Sequence, residues 1–345
     1  MDEQRLLNGP AKLLDREGNL TQAGWAPFPL LDCNLEDCHF YKFTPWQKMR
    51  IKVWDYYAVT TPDHFFSFTI SNIGYLGMIF AYVIDFKTGK YQEQTISTPF
   101  GSGVSLPRSS TEGKTTFEKG DLHMIFEALP GKRTVSVHWP GFAGGELNAE
   151  FSLVQPKDHE SMTIVIPIHG KRFYYNHKLN CLPAEGWVEF AGERFDLNPA
   201  TALGNLDWGR GVWEYASHWV WSSASGFLPD QRRIGLNLGY GFGDTSAASE
   251  NCIILDGKVH KLGKMAYTFD PRDYKKPWRM VSPDARLDLV FTPFFERVAK
   301  TNAVVLKSEV HQMFGRYNGW AVTDSGEKIE IKDLTGWSEE HYAKW

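Results

Sequence analysis

Between Asp207 and Trp221 the chain places an Asp, an Arg, a Glu, a Tyr, a His and four Trp within 15 residues. Loops rarely collect that much indole, and cores rarely accept that many ionisable groups. The natural home for such a mixture is a partly dry pocket holding a few fixed polar groups. One buried acid and aromatic walls suffice to protonate an alkene or enol and shield the resulting cation. Asp207 is the candidate acid, with Arg210 orienting it or holding a polar group of the substrate. Asp207 and Arg210 fit equally well as a structural ion pair. Gly204, Gly209 and Gly211 flank both and suggest a turn aimed into a cleft. Trp213, Trp219 and Trp221 are candidate walls, and Glu214 and His218 share a side in either helix or strand geometry.

A second constellation lies in 304–314. As a strand, it puts Lys307, Glu309, His311 and Met313 on one face, and Val304, Leu306, Ser308, Val310, Gln312 and Phe314 on the other. Same-face neighbours stand about 6.5–7 Å apart, so Glu309 and His311 are candidates for the return proton. The alternative is a solvent-exposed face. Asp55, Tyr56, Asp63 and His64 form an N-terminal cluster, and Tyr175 stands in a run of polar and aromatic residues with Asn176, His177 and Lys178. Tyr317 and Asn237 complete the candidate binding residues. Asn237 belongs to a strand in which Ile234, Leu236, Leu238, Tyr240 and Phe242 alternate with Gly235, Asn237, Gly239, Gly241 and Gly243. A glycine face marks a close approach by a ligand or a sharply coiled strand.

The elements that must position these groups are short strands. His64 to Ile70, Gly74 to Phe86, Leu122 to Ala128, Arg133 to His138, Met162 to Ile168 and Leu287 to Thr292 are rich in β-branched and aromatic residues. Helical patterns are scarce, and Gln4 to Leu7 and Ser338 to Lys344 are the best helix candidates. The pattern predicts an all-β protein of two consecutive antiparallel barrels or sandwiches. Residues 1–200 would be an N-terminal arm plus the first domain, and 201–345 the second.

With 345 residues, 42% hydrophobic and 23% charged, the chain is long enough for two ordinary globular cores. A net charge of -4 argues against nucleic acid as a partner. No apolar run approaches the roughly 18 residues of a spanning helix, and none follows Met1 to Arg5 as in a leader. A cytoplasmic protein without stable membrane insertion is expected. Cys33, Cys38, Cys181 and Cys252 lack metal-site spacing, so reduced thiols are expected, with Cys181 a minor candidate nucleophile. Dinucleotide, Walker and nucleophile-elbow motifs are lacking, so neither a cofactor nor a metal is expected.

Leu206-Asp207-Trp208-Gly209-Arg210-Gly211-Val212-Trp213, the strand from Trp219 to Gly226 and His311-Gln312-Met313-Phe314-Gly315 resemble the bacterial domain-of-unknown-function family 2804. So do Trp54 to Tyr57, Thr61 to Phe66 and Glu339-Glu340-His341-Tyr342, and the resemblance spans nearly the whole chain. More distantly, the Asp-containing Trp-Gly motif resembles the lipocalin-like superfamily of carotenoid 1,2-hydratase, survival-factor-type lipid carriers, tocopherol cyclases and Diels-Alderase-like proteins. That resemblance implies two β domains with a cleft for a hydrophobic ligand. Hydratase-like members carry an acid three positions before the Trp, where this chain has Asn205.

Three functions fit these residues. The first is cofactor-independent acid–base chemistry (hydration, isomerisation or cyclisation) on a small or apolar substrate. The second is a carrier of a lipid-like ligand. The third, glycan hydrolysis, needs two carboxyls about 5–10 Å apart, for which Asp207 with Glu214 or Glu309 are the nominees.

Overall fold

The computed structural model describes residues 4–303 and 306–345, so Val304, the expected start of the Glu309 strand, lies outside them. Strand takes up 62% of the chain and helix 3%, as the dominance of β-branched and aromatic residues requires. Among the described residues, the strands form two large antiparallel sheets and one minor pair. The path of the first runs from Tyr91–Pro99 through Leu76–Asp85, His64–Asn72, Lys52–Thr60, Leu203–Val212 and Arg172–Phe190, then on to Glu146–Val154 and the meander after it. At the centre of the second, Arg233–Tyr240, Ala216–Phe227, Lys328–Lys344, Leu306–Val322 and Leu287–Ala303 lie side by side. Each sheet curls into a half-barrel, giving two lipocalin-like β domains.

Four apolar clusters account for the packing. One fills the concave side of the first sheet, around Phe66, Phe68, Trp139 and Trp208. Another fills the second, around Trp278, Phe291, Met313 and Tyr317. The remaining two lie where the sheets meet: Ile164, Tyr174, Trp213 and Ile254 on one side, and Tyr56, Phe65, Tyr82, Trp221, Phe314 and Trp337 on the other. Asn180 pins the halves together, its amide donating to Ser223 Oγ at 2.9 Å and to the carbonyls of Ala224 and Leu236. The N-terminal arm spans both sheets. Its Trp25 pairs with Ile164, and Arg5 N–H donates to the Ala247 carbonyl at 2.8 Å.

Several local expectations are overturned. Ser338 to Lys344 is not helical but belongs to the strand Lys328–Lys344, and Gln4 to Leu7 forms no helix. Ladder pairing on both flanks from Gly336 to Lys344 outweighs the weak helical pattern of that last segment. Asp207 and Arg210 lie not in a turn but in the strand Leu203–Val212. That strand is part of the first sheet, and the second begins at Ala216, so a boundary after residue 200 would cut the first sheet.

Trp337 is fully buried at the seam, with Phe65 at 5.3 Å and Trp221 at 5.4 Å between ring centroids. Trp337→Ala should cost about 3–5 kcal/mol of stability, measured by chemical denaturation. A loss below about 1 kcal/mol would show that the seam does not hold the halves together.

Candidate functional site

Between the two sheets lies a cavity of roughly 660 Å³. Its first wall follows from strand register. Lys178, Asp207, Tyr56, Thr69, Phe80 and Thr95 are successive cross-strand partners, and all six line the cavity. Two residues along, the next row contributes Trp54, Ser71, Met78 and Ser97, where Gly209 makes room for Trp54. A Cβ at Gly209 would stand 2.0 Å from the Trp54 ring. The facing wall is built the same way, from the row Arg297, Gln312, Glu339 and Trp221 and the row Ala299, Val310, His341 and Trp219.

The polar groups of the two walls are interlocked. Asn176 Nδ2 donates to Asp207 Oδ1 at 2.6 Å. Lys178 Nζ stands 3.7 Å from the same oxygen, 3.3 Å from Glu250 Oε2, and 3.9 Å from the centroid of the Trp221 ring. Tyr56 and Tyr82 share a hydroxyl bond of 3.0 Å, and Tyr82 donates to Gln312 Oε1 across the seam at 3.0 Å. Gln312 Nε2 donates to Glu339 Oε2 at 3.2 Å, and Trp219 Nε1 approaches Glu339 Oε1 at 3.4 Å. Arg297 closes the ring with Glu93 at 2.5 and 3.0 Å.

Burial pushes the Glu339 carboxyl up to about 7, against the pull of Arg297, Lys178 and the Trp219 N–H, and Asp207 raises it further. A carboxyl so placed is half protonated at neutral pH and suits proton transfer. Burial holds His341 down to about 3, helped by Arg297 and His218, so its ring is neutral beside Ser308 Oγ at 2.8 Å. Among the described residues, no group of three or more His, Cys, Asp or Glu side chains is arranged to hold a metal ion.

Of the residues singled out in the sequence, Asp207, Tyr56, Trp213, Trp219 and Trp221 line the cavity. Asn237 stands behind Trp221, accepting its indole N–H at 2.8 Å and donating to the Glu250 carbonyl. The others lie elsewhere, mostly because one step along a strand turns a side chain to the opposite face. Arg210 points into the first domain, where it pairs with Asp55 at 2.9 Å rather than with Asp207, and Asp55 also accepts the Thr115 hydroxyl. Tyr175 points the same way, donating to the Leu31 carbonyl at 3.0 Å.

Glu309 and His311 occupy the face that turns away from the cavity. His311 lies 2.9 Å from Glu296 and 3.0 Å from Glu309, which also pairs with Lys300 at 2.6 Å. Tyr317 is in the second core, its hydroxyl donating to the Trp337 carbonyl at 2.5 Å. His218 pairs with Glu340 at 2.9 Å and, with exposed Glu214, borders a shallower depression behind Trp213 and Phe242. Asp63 pairs with Lys87 at 2.8 Å on the surface, and His64 packs on Phe195 at 4.5 Å. Neither Glu214 nor Glu309 therefore shares the cavity with Asp207. Burial pushes the Cys181 thiol up to about 12, which keeps it protonated and a poor nucleophile.

The sequence reading did not single out Glu339, Arg297 or Glu93 as site residues, and it named Lys178 only within the run beside Tyr175 and Gln312 only by its strand face. Parity alone offered a signal, since Gln312 lies on the face opposite Glu309 and His311. The glycine strand resolves differently from either expectation. A Cβ at Gly239 would lie 2.1 Å from Glu250 Oε1, and one at Gly235 would lie 2.9 Å from Asn180 Cβ. The bare face admits the protein's own side chains.

A carboxyl raised from 4.5 to about 7 by burial favours the folded state fully below 4.5 and loses that contribution as pH rises through 7. That interval is worth about 3 kcal/mol. His341 acts in the opposite sense below its ordinary 6.5, so the difference between the wild type and Glu339→Gln isolates the carboxyl. The wild type should lose about 3 kcal/mol relative to the variant between pH 4.5 and 7, followed by chemical denaturation at each pH. Parallel curves would remove the raised carboxyl.

The fold recurs in solved structures at low sequence identity. CghA crystallised with Sch210972 is 12% identical with a TM-score of 0.53, covering 85% of this chain and 88% of that one. CghA alone gives 11% and 0.52 over the same shares. Kievitone hydratase from Nectria haematococca gives 11% and 0.46, again over 85% and 88%. No curated protein matches the sequence. The family model described as a domain of unknown function, DUF2804, matches residues 4–345, and the chain belongs to that family.

Proposed function

We propose that the protein is an enzyme performing acid–base chemistry (hydration, isomerisation or cyclisation) on a small, largely apolar molecule held between the two sheets. The observation that carries this reading is Glu339, a buried carboxyl poised at about 7 in an aromatic cavity that also holds Asp207, Lys178 and Glu250. A carrier has little use for three buried ionisable groups beside a half-buried fourth, because each costs desolvation energy. The catalytic acid in this reading is Glu339, in place of Asp207. It gives its proton to a double bond or enol, and the cation that forms faces the rings of Trp219, Trp221 and Trp54. Asp207, oriented by Asn176 and Lys178, takes a proton from the neighbouring carbon or from an attacking water. Asp207 then releases its proton to solvent, and solvent returns one to Glu339. The CghA structure with Sch210972 supports a small-molecule partner for this fold.

The test is incubation of the full chain in deuterium oxide with a panel of enones, enols and isoprenoid alkenes, read by mass spectrometry. Deuterium or water should be added to at least one compound. Glu339→Gln should lower kcat by about 10²–10⁴-fold with affinity little changed, while Glu309→Gln retains wild-type rates. A compound bound tightly but never altered would favour a carrier, and a fully active Glu339→Gln would remove the assigned acid.

A further inference from the structure

Towards Lys52 and Trp345, the cavity has three buried nitrogen donors with no hydrogen-bond partner among the described residues. Lys52 is wholly inaccessible to solvent, and its Nζ has no hydrogen-bond partner. Nor do the buried indole nitrogens of Trp213 and Trp345. These three residues line the cavity together. The Lys52 ammonium lies 5.0 Å from the Trp345 ring centroid and 5.8 Å from that of Trp213, and the two rings are 6.0 Å apart. Buried indole N–H groups ordinarily find an acceptor, and an unpaired buried amine costs far more. Indole N–H and ammonium can only donate, so the missing partner is an acceptor.

We propose that this end of the cavity binds the carboxylate of an elongated monocarboxylic acid, with Lys52 Nζ and the indole N–H groups of Trp213 and Trp345 as its donors. Lys52 is the cation of this cluster that lines the cavity, since nearby Arg50 does not, and one cation matches the single charge of a carboxylate better than a phosphate dianion. Burial and Arg50 hold the Lys52 amine down to about 7, and a bound carboxylate would restore its charge. The length of the molecule follows from register. Lys52 and Tyr56 share a face of one strand four residues apart, which is about 13 Å, and Tyr56 pairs directly with Asp207. An acid seated on Lys52 thus extends its apolar body past Trp54 towards Asp207, Lys178 and Glu339. The inference rests on the acid–base reading only for where the reacting part of the molecule lies.

The test is calorimetric titration of the full chain at neutral pH with straight-chain acids from hexanoate to tetradecanoate and the matching primary alcohols. At least one acid should bind about thirtyfold or more tightly than its alcohol. Lys52→Met should lower that acid's affinity by a similar factor while leaving the alcohol's within about threefold. Trp345→Phe, which keeps the ring and deletes one donor, should cost about tenfold or more for the acid alone. Equal binding of acids and alcohols, absence of binding by every acid, or unchanged acid affinity in the variants overturns the proposal. Should Lys52→Met fail to fold, Trp345→Phe decides by the same criterion. Saturated acids cannot undergo the proposed chemistry, so their binding tests this site alone, and failure of the alkene and enol panel would sink the catalytic reading while leaving this site standing.

Discussion

Period-two alternation on long, doubly covered strands is the constraint on which everything else in the molecule depends. In Leu203–Val212 all ten residues are buried, because one face packs into the first domain and the other looks across at the second sheet. Leu206, Trp208 and Val212 thus belong to the first core, with Arg210 on their face, while Asp207 on the other face meets the cavity. A shift of this strand by one residue would exchange the two sets, placing Arg210 in the cavity and Asp207 in the core, where Asp55 would lose its partner. Both faces are specified by burial, so the register has little freedom.

The shared face between the sheets is costly to build. It buries Lys178, Asp207, Arg297 and Glu339, beside half-buried Glu250, in a region walled by indole and phenol rings. Isolated, each would favour unfolding by several kcal/mol. The structure answers with bonds that cross from sheet to sheet, Glu93 to Arg297 and Tyr82 to Gln312, and with Lys178 between two carboxylates. Glu339 is the member whose compensation is least complete, and its carboxyl rises towards neutrality in consequence. An incompletely compensated carboxyl within a hydrogen-bonded network is a frequent physical signature of a working site.

Glycine has a specific part in that face. Gly209 lets Trp54 lie across the central strand, and Gly239 admits the Glu250 carboxylate beneath Trp221. Each side chain removed from one strand becomes space for a larger one from its neighbour. The aromatic lining and the buried ionisable groups are consequences of the same omission.

Much was legible in the sequence because it is local. The all-β class followed from β-branched and aromatic segments, the strand Met162–Ile168 from local pattern, and the aromatic wall from Trp213, Trp219 and Trp221. Even the two faces of the strand bearing Glu309 and Gln312 were separated correctly by alternation. Which face turns inward was not legible, since both carry polar groups and the choice depends on the sheet that covers them. Arg210, Glu309 and His311 were chosen for their chemistry and lie on the covered or outer sides, whereas Lys178, Gln312 and Glu339 form the polar floor. Lys178 and Glu339 come from central strands of different sheets and share a cavity only because two half-barrels dock face to face. Alternation along a strand is a property of the chain alone; the sign of that alternation, and the partners it brings together, belong to the tertiary structure because they are decided by contacts distant in sequence.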